Sequence, residues 1–476
     1  MTVSGAHVLA CASIGILMLI VPIPKRKFEL YALSLPRGPN FEPRVFHSAW
    51  KAKNTGCIGA VLHDERGRYE TLVMRRQADH RFVVTHEAKG FASVASAMDD
   101  VTKAMRPDAP PEAMPPGAKK RAALIPTTVD GLGESFKLIA TTMQHYPALM
   151  TIGETYLAMP RPDDNFVSDF RTSNFDSRLW ELYLLAAFRE QGVLVTQDQA
   201  SPDFLIEREG YQCYVEAVTA NSSEPRLQGF VEPMPAPEDK VERLIGAPAV
   251  RFAKTLRSKL QRGYERYTDV QGKPLALAIA DFHAPGSMTW SREALPSYLY
   301  GVHPQVVDGP DGPHAIGPAV SVLRGKDEIP SGLFRDPAMA HLSAVIFSNA
   351  ATLSKFNRMG FLAGWRPPGL TMVREGHLFD RTPGALQSIP FHYDILSDQY
   401  AAAVAGRRSV VPGAGGLPQP ARKAAGCLRS AAGRDALVRR GWGNSMPQYL
   451  GVVSPFIGHD ASYEKIAKAR FAQYQK

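Results

Sequence analysis

The chain has 476 residues, of which 45% are hydrophobic and 21% charged, and its formal net charge is +9. This length allows about two to four domains, and the composition excludes a largely disordered chain and a polytopic membrane protein. The four cysteines are scattered and form no CxxC pair, which excludes a disulfide scaffold and a thiolate zinc knuckle and fits a reducing cytoplasm.

Residues 1–24 are predicted to form an apolar N-terminal extension. The apolar run within it covers residues 6–21, which is shorter than the roughly 20 residues that a membrane-spanning helix needs. No basic segment precedes it and no small-x-small cleavage site ends it, so a signal peptide is disfavoured. A membrane anchor, a buried segment and a translation start at Met18 stay open. If the run inserts in a membrane, the basic residues 25–27 that follow it would keep the main body in the cytoplasm. The other two alternatives also place the main body there.

Residues 25–105 predict a small α+β module, and residues 106–117 predict a linker. Three short strand patterns precede a helical pattern at 93–105; the strand patterns cover residues 57–62, 69–74 and 81–84. A structural or partner domain is the favoured role for this module, with DNA binding as the alternative. Five prolines in residues 106–117 rule out a continuous helix or central strand there.

Residues 118–400 predict an α/β core with additions, and its motifs fall within 176–283. A helical pattern opens near Asp176 and closes at Gly192. Three strand patterns follow, then a basic amphipathic helix and a continuous apolar run typical of a buried strand; these segments are 193–196, 202–206, 211–219, 250–267 and 274–280. The order is helix, strand, strand, strand, helix, strand.

The second and third of these strands predict a hairpin that brings two carboxylates together. If Glu209 and Gly210 form a two-residue turn, Asp203 faces Glu216 across the hairpin, although a register shift of one residue would separate them. Like charges directly opposed on adjacent strands are destabilising, and the neighbouring residues are apolar. A divalent metal would supply the missing positive charge, and carboxylate oxygens suit Mg²⁺ or Mn²⁺.

These residues resemble the PD-(D/E)xK nuclease superfamily. The resemblance lies in Pro202-Asp203 and in Glu216-Ala217-Val218 after the hairpin, while Glu181 matches an acidic residue that many members carry on the preceding helix as a further metal ligand. Two later segments, 280–285 and 343–349, resemble an uncharacterised bacterial group related to this superfamily. The resemblance implies a restriction-endonuclease-like mixed sheet flanked by helices, and cleavage of nucleic acid, with DNA favoured, that depends on Mg²⁺ or Mn²⁺.

The family's lysine, expected two residues after the glutamate, is replaced here by Val218. The basic helix offers Lys254 and Lys259 instead; at a separation of five residues they do not share a helical face, and Lys259 is the favoured candidate. The resemblance thus assigns catalysis to Asp203, Glu216 and Lys259, and metal binding to Glu181, Asp203 and Glu216. The alternative function is a catalytically inert binding or interaction protein with a nuclease-like fold.

Structural interpretations stay open for several of these residues. Glu181 can pair with Arg178 at i, i+3 spacing, and Asp203 can cap a turn. Asp281 and His283 follow the buried strand and either line the same cleft or are structural. The basic segment after the strand at 344–347 either contacts phosphate or forms a polar loop; it covers residues 354–358.

The net charge is concentrated near the C-terminus, and residues 401–440 are predicted to form a basic linker rich in Ala, Gly and Arg. With seven Arg, one Lys and one Asp this segment contributes +7, so that the rest of the chain carries only +2. It is interpreted as a flexible tether or as a phosphate-binding arm, and residues 441–476 as a C-terminal segment. The sequence contains no Walker A, HExxH, GxSxG or Rossmann glycine motif.

Overall fold

The protein is a mixed α/β protein with several sheets flanked by helices. Its described residues form two compact units, one within residues 1–35 and 41–122, the other within residues 36–40 and 123–476. The computed structural model describes the following residues: 20–53, 55–222, 227–229, 236–284, 286–303, 305–309, 312–325, 328–378, 389–405 and 437–439.

The first unit is built on one antiparallel sheet. Its elements are β1 (Ile20–Pro22), α1 (Lys25–Ala32), β2 (Val45–Ala52), β3 (Cys57–His63), β4 (Tyr69–Arg76), β5 (Phe82–Phe91) and α2 (Val94–Met105). The strands lie in the order β1-β2-β3-β4-β5, and all neighbours are antiparallel. The three predicted strands are present as β3, β4 and β5, and the predicted helix is α2. Sequence patterns missed β1, β2 and α1.

The central strand β3 is buried along almost its whole length because helix α2 packs on one of its faces. A Cβ atom at Gly59 would lie 2.6 Å from a methyl carbon of Val101, so the close approach of helix and strand requires glycine. Helix α2 begins after Ser93, whose side chain accepts a hydrogen bond from the Ser96 N–H, a standard N-cap. Strand and helix thus form one core.

A buried arginine connects the sheet to the proline-rich segment. The Arg75 side chain is 2% exposed, and its Nε lies 3.0 Å from a Glu112 carboxylate oxygen. Its two terminal nitrogens donate to four carbonyl oxygens between 2.7 and 3.1 Å away, those of Met105, Arg106, Ala109 and Pro110. The first half of the predicted linker is therefore bonded to the first unit, and the division between units falls after Ala122.

The second unit contains a six-stranded mixed sheet. Its strands are β6 (Leu194–Thr196), β7 (Phe204–Arg208), β8 (Tyr211–Asn221), β9 (Leu275–Phe282), β12 (Leu342–Phe347) and β15 (Leu437–Arg439). The order is β15-β12-β9-β8-β7-β6. Strands β8, β9 and β12 are parallel, while the β6-β7 and β7-β8 pairs and the β12-β15 pair are antiparallel.

Helices cover both faces of this sheet. The helices described in the second unit are α3 (Glu134–Thr141), α4 (Tyr146–Ala158), α5 (Phe166–Arg171), α6 (Phe175–Glu190), α7 (Lys240–Ile245), α8 (Ala247–Leu260), α9 (Ala294–Tyr300), α10 (Leu353–Leu362) and α11 (Asp398–Ala405). One core contains residues of α4 and α6, and the other contains residues of α8 and α9. Strand β9 is buried at every position because it lies between these cores, which explains its continuous apolar sequence.

The remaining elements are short. Two hairpins pair β10 (Gln305–Gly309) with β11 (Gly312–Ile316), and β13 (Val373–Leu378) with β14 (Ile389–Asp394). The 3₁₀ turns are Met143–His145, Tyr264–Arg266, Ser287–Thr289, Ser291–Glu293, Leu333–Arg335 and Pro337–Met339.

Residues 354–358 lie in helix α10 and not in a polar loop. This helix packs closely on α4: a Cβ atom at Gly360 would lie 2.1 Å from the Pro147 carbonyl oxygen. The Asn357 side chain is fully buried and accepts a hydrogen bond from the Ala148 N–H. The segment therefore has a clear structural role in joining two helices.

Parts of three predicted segments lie outside the described residues. These parts are residues 1–19 of the N-terminal extension, residues 406–436 and 440 of the basic segment, and the whole of 441–476. Within the described residues, no helix is long and apolar enough to cross a membrane.

Candidate metal-binding and catalytic site

The β7-β8 hairpin has the register that the sequence predicts. Phe204 pairs with Val215, and Arg208 pairs with Tyr211, which leaves Glu209 and Gly210 as the two-residue turn. Both turn residues have positive φ, 53° and 77°, as a type I′ turn requires. The predicted register is confirmed, and its continuation by one residue places Asp203 opposite Glu216.

Asp203 directly precedes β7 and accepts a hydrogen bond from the neighbouring strand. Its Oδ2 atom accepts a hydrogen bond of 2.6 Å from the Ala217 N–H. Removal from water raises the pKa of this carboxyl well above its ordinary value, and the negative charges of Glu216 and Glu181 raise it further. The Asp203 carboxylate is therefore in a strongly negative environment that a cation would relieve.

Glu216 lies in the middle of β8 and is 2% exposed. Its Oε1 atom is 2.6 Å from the Lys259 Nζ and 4.0 Å from an Arg262 guanidinium nitrogen. Its Oε2 atom accepts a hydrogen bond of 3.2 Å from the Ser201 hydroxyl. The lysine favoured from the sequence thus reaches this carboxylate from helix α8, and it partly offsets the charge of a nearly buried carboxylate.

Glu181 lies on helix α6 and pairs with Arg178, as one of the two sequence interpretations expects. Its carboxylate oxygens are 3.0 and 3.3 Å from the Arg178 Nη1. Arg178 also binds Asp163 at 2.7 Å and Asp169 at 2.6 Å. Burial, with Asp163 and Glu216 nearby, raises the pKa of Glu181 to about 7, although Arg178 acts in the opposite direction. The role of Glu181 as a metal ligand stays a prediction.

One cavity of about 720 Å³ brings all these side chains together. Its walls include the four residues assigned from the sequence: Glu181, Asp203, Glu216 and Lys259. Helix α8 contributes a row of polar side chains, namely Arg251, Lys254, Thr255, Ser258 and Lys259, and Arg262 follows directly after the helix. The row contains both candidate lysines, so a separation of five residues does not keep them out of the same cavity.

The sequence analysis did not identify three further residues near Glu216, namely Ser201, Arg262 and Tyr264. Arg262 follows Lys259 by three residues, and this helical spacing is a signal that would have identified it. Ser201 and Tyr264 carry no such signal. Tyr264 is fully buried, and its hydroxyl approaches Glu216 without forming a well-aligned hydrogen bond. Burial and then the charge of Glu216 raise the pKa of this phenol.

Asp281 and His283 form a separate cluster at the end of β9. The Asp281 Oδ1 atom accepts a hydrogen bond from the His283 N–H and lies 2.8 Å from the His283 Nδ1, while Ser291 donates to Oδ2. Asp281 is fully buried. Neither residue is among the described residues that line the cavity, which favours the structural interpretation of this pair.

The donor set at the cavity fits a hard divalent cation in its chemistry. Mg²⁺ is usually held by one or two carboxylates, with water or phosphate oxygens completing the shell, and Asp203 and Glu216 supply two. In the described part of the chain, no group of three or more His, Cys, Asp or Glu side chains is arranged to hold a metal. Glu181 is a further carboxylate of the cavity lining, and both of its oxygens contact Arg178.

Comparison with known proteins gives no relative for this chain. No family model, no curated protein and no solved structure matches it. Function must therefore be inferred from the geometry of the cavity itself.

Proposed function

We propose that the protein is a phosphodiesterase that cleaves nucleic acid and depends on Mg²⁺ or Mn²⁺. The proposal rests on one observation: Asp203, directly before β7, and Glu216, on the adjacent strand β8, line one cavity, where Lys259 contacts Glu216 from helix α8. Two carboxylates with a lysine and a row of basic side chains suit a metal ion and a phosphate group together.

The order of elements around the site supports a restriction-endonuclease-like core. Helix α6, strands β6, β7 and β8, helix α8 and strand β9 occur in this order, with the short helix α7 between β8 and α8, and β8 pairs in parallel with β9. The acidic motif residues lie directly before β7 and in the middle of β8, in keeping with the sequence resemblance. The order of the elements and the positions of the acidic residues thus both support this core.

Each residue has a distinct task in the proposed reaction. Asp203 and Glu216 would hold the metal, which when bound supplies an activated water and stabilises the leaving oxygen. Lys259 positions Glu216 through their 2.6 Å contact and offsets negative charge that develops on the phosphate. Ser201 holds the second oxygen of Glu216, so the carboxylate is oriented at both of its atoms.

The decisive test is cleavage by conservative variants. Asp203→Asn and Glu216→Gln should each lower Mn²⁺-dependent cleavage of the DNA that the wild type cleaves, whether single-stranded or plasmid, by at least about 100-fold, because each removes a charged metal ligand. Lys259→Met should lower it by about 10²- to 10³-fold. Glu209→Gln is the matched control, since its side chain at the turn is 74% exposed. Full cleavage by both carboxylate variants would contradict the proposal.

A second candidate function is a catalytically inert binding protein with the same fold. It is favoured by Val218 at the position of the family's lysine, and by the protein partners that Glu216 and Glu181 already hold. Calorimetric titration with Mn²⁺ separates the two functions. The enzyme should bind Mn²⁺ and lose that binding in Asp203→Asn, whereas absence of Mn²⁺ binding to the wild-type protein would support the inert scaffold.

A further inference from the structure

The two helical walls of the cavity carry opposite charge. The α8 wall presents four cationic side chains: Arg251, Lys254, Lys259 and Arg262. The α6 wall presents Glu181 and Arg178, with Asp169 beside them, and Asp163 adds a third carboxylate to Arg178. Three carboxylates thus surround one guanidinium there. Phosphate is attracted to one wall and repelled by the other.

The cationic wall is long enough to contact several consecutive nucleotides of one strand. Its residues are separated by three, five and three positions, and helix α8 together with the residues directly after it brings all four to the cavity lining. Arg251 and Lys259 are eight residues apart, which corresponds to about 12 Å along a helix. A stacked nucleic-acid strand advances about 3.4 Å per nucleotide, so the wall can follow about three to four phosphates.

The cavity offers little for the recognition of bases. Among its described lining residues the one aromatic side chain is Trp180, which is fully buried and stacks on Tyr183 with ring centroids 5.6 Å apart. Its indole N–H is also engaged, since it donates to the Ala278 carbonyl oxygen. Trp180 therefore cannot serve as the stacking platform that many single-strand-binding proteins use, and contacts to the backbone must supply the affinity.

We infer that this cavity accepts one strand of nucleic acid, with its phosphates along α8, and that it excludes a duplex. The phosphates of a second strand would have to approach the carboxylates of the α6 wall. Binding depends on the phosphodiester backbone and not on base sequence, and the sugar of DNA or RNA is equally compatible with it. The inference rests on the proposed function, because it defines the substrate of the same site.

Binding without divalent metal tests this inference independently of cleavage. In EDTA, fluorescence anisotropy with 12-nucleotide DNA and RNA strands should show affinity at least about tenfold higher than with a 12-base-pair DNA duplex. Strands of different base composition should bind alike. With three phosphate contacts, the logarithm of affinity should fall with the logarithm of salt concentration with a slope of about −2.

Two double variants test whether the α8 wall binds the single strand. Arg251→Ala with Lys254→Ala should weaken single-strand binding and make the salt slope shallower by about 1.4. The control is Lys240→Ala with Arg266→Ala, which removes the same charge from exposed positions outside the cavity lining and should change little. Asp169→Asn should narrow the preference for one strand over a duplex, because it weakens the acidic wall.

The outcomes separate this inference from the proposed function. Duplex affinity equal to or above that of the single strands, or unchanged binding in the Arg251 and Lys254 variant, would overturn the inference. Selective binding of single strands without Mn²⁺-dependent cleavage would support the inference and contradict the phosphodiesterase. Cleavage of duplex DNA without any single-strand preference would support the phosphodiesterase and contradict the inference.

Discussion

The two units each bury charge, but they balance it differently. In the first unit, the Arg75 guanidinium donates to four carbonyl oxygens and pairs with Glu112. In the second, Asp203 and Glu181 have raised pKa values because burial and neighbouring carboxylates oppose their ionisation. Removal of one partner from a buried, fully paired charge is costly, whereas buried carboxylates with raised pKa values mark a candidate site for an ion.

Removal of the balanced charge should have the largest effect on stability. Arg75→Met leaves Glu112 and four carbonyls without their buried partner, so we expect the first unit to lose about 3–5 kcal/mol of unfolding free energy. Hydrogen exchange of β3 and β4 amides measures this loss. Arg68→Ala, which breaks an ion pair with Asp64 at a side chain that is 53% exposed, should cost less than about 1 kcal/mol. Equal effects would contradict the comparison.

The unbalanced charge should instead show in the pH dependence of stability. The folded-state pKa of Glu181 is about 7, against an ordinary value of 4.5, so the folded protein binds this proton more tightly than the unfolded chain. Its contribution is complete below pH 4.5 and declines as pH rises to 7, by about 3 kcal/mol in total. Glu181→Gln should abolish that decline.

Urea unfolding followed by circular dichroism at pH 4.5 and 7.5 measures this difference. Wild type and Glu181→Gln should be similar at the lower pH, and the variant should be the more stable at the higher pH. The same difference between them at both pH values would show that Glu181 ionises normally in the folded protein.

The smallest expected effect is stabilisation by metal. Mn²⁺ at ten times its dissociation constant should stabilise the folded protein by about 1.4 kcal/mol, because it neutralises Asp203 and Glu216. Thermal unfolding with and without Mn²⁺ detects this gain. Asp203→Asn should lose it, while Arg75→Met should keep it, since that variant changes only the first unit. If Mn²⁺ stabilised Asp203→Asn as much as the wild type, the metal would bind at another site.

Local sequence patterns predicted the hairpin correctly. Glu209 and Gly210 stand between two strand patterns, and a two-residue turn fixes every pairing of the strands it joins. The position of Asp203 opposite Glu216 follows from that count alone. The order of elements from α6 to β9 was also predictable, because apolar residues recur at helical or strand spacing in each segment.

Contacts between distant segments were not predictable from these patterns. Arg75 donates to backbone carbonyl groups at and after the end of α2. Every residue has such a group, so the side-chain sequence does not reveal these partners. Arg178 binds Asp163 and Asp169 because α5 and its preceding loop pack near the start of α6. Tyr264 reaches Glu216 only because the chain turns back after α8.

The sequence by itself determined the hairpin register and the main elements from α6 to β9, since turns and periodicity are local properties of the chain. It also located most of the positive charge in residues 401–440, of which the structure describes only 401–405 and 437–439. Only the tertiary structure decided that Lys259 meets Glu216, that Arg178 holds Glu181, and that Asp281 lies apart from the cavity. Packing of helices on the sheet sets these distances, because separate segments contribute the groups and burial determines which charges must find a partner.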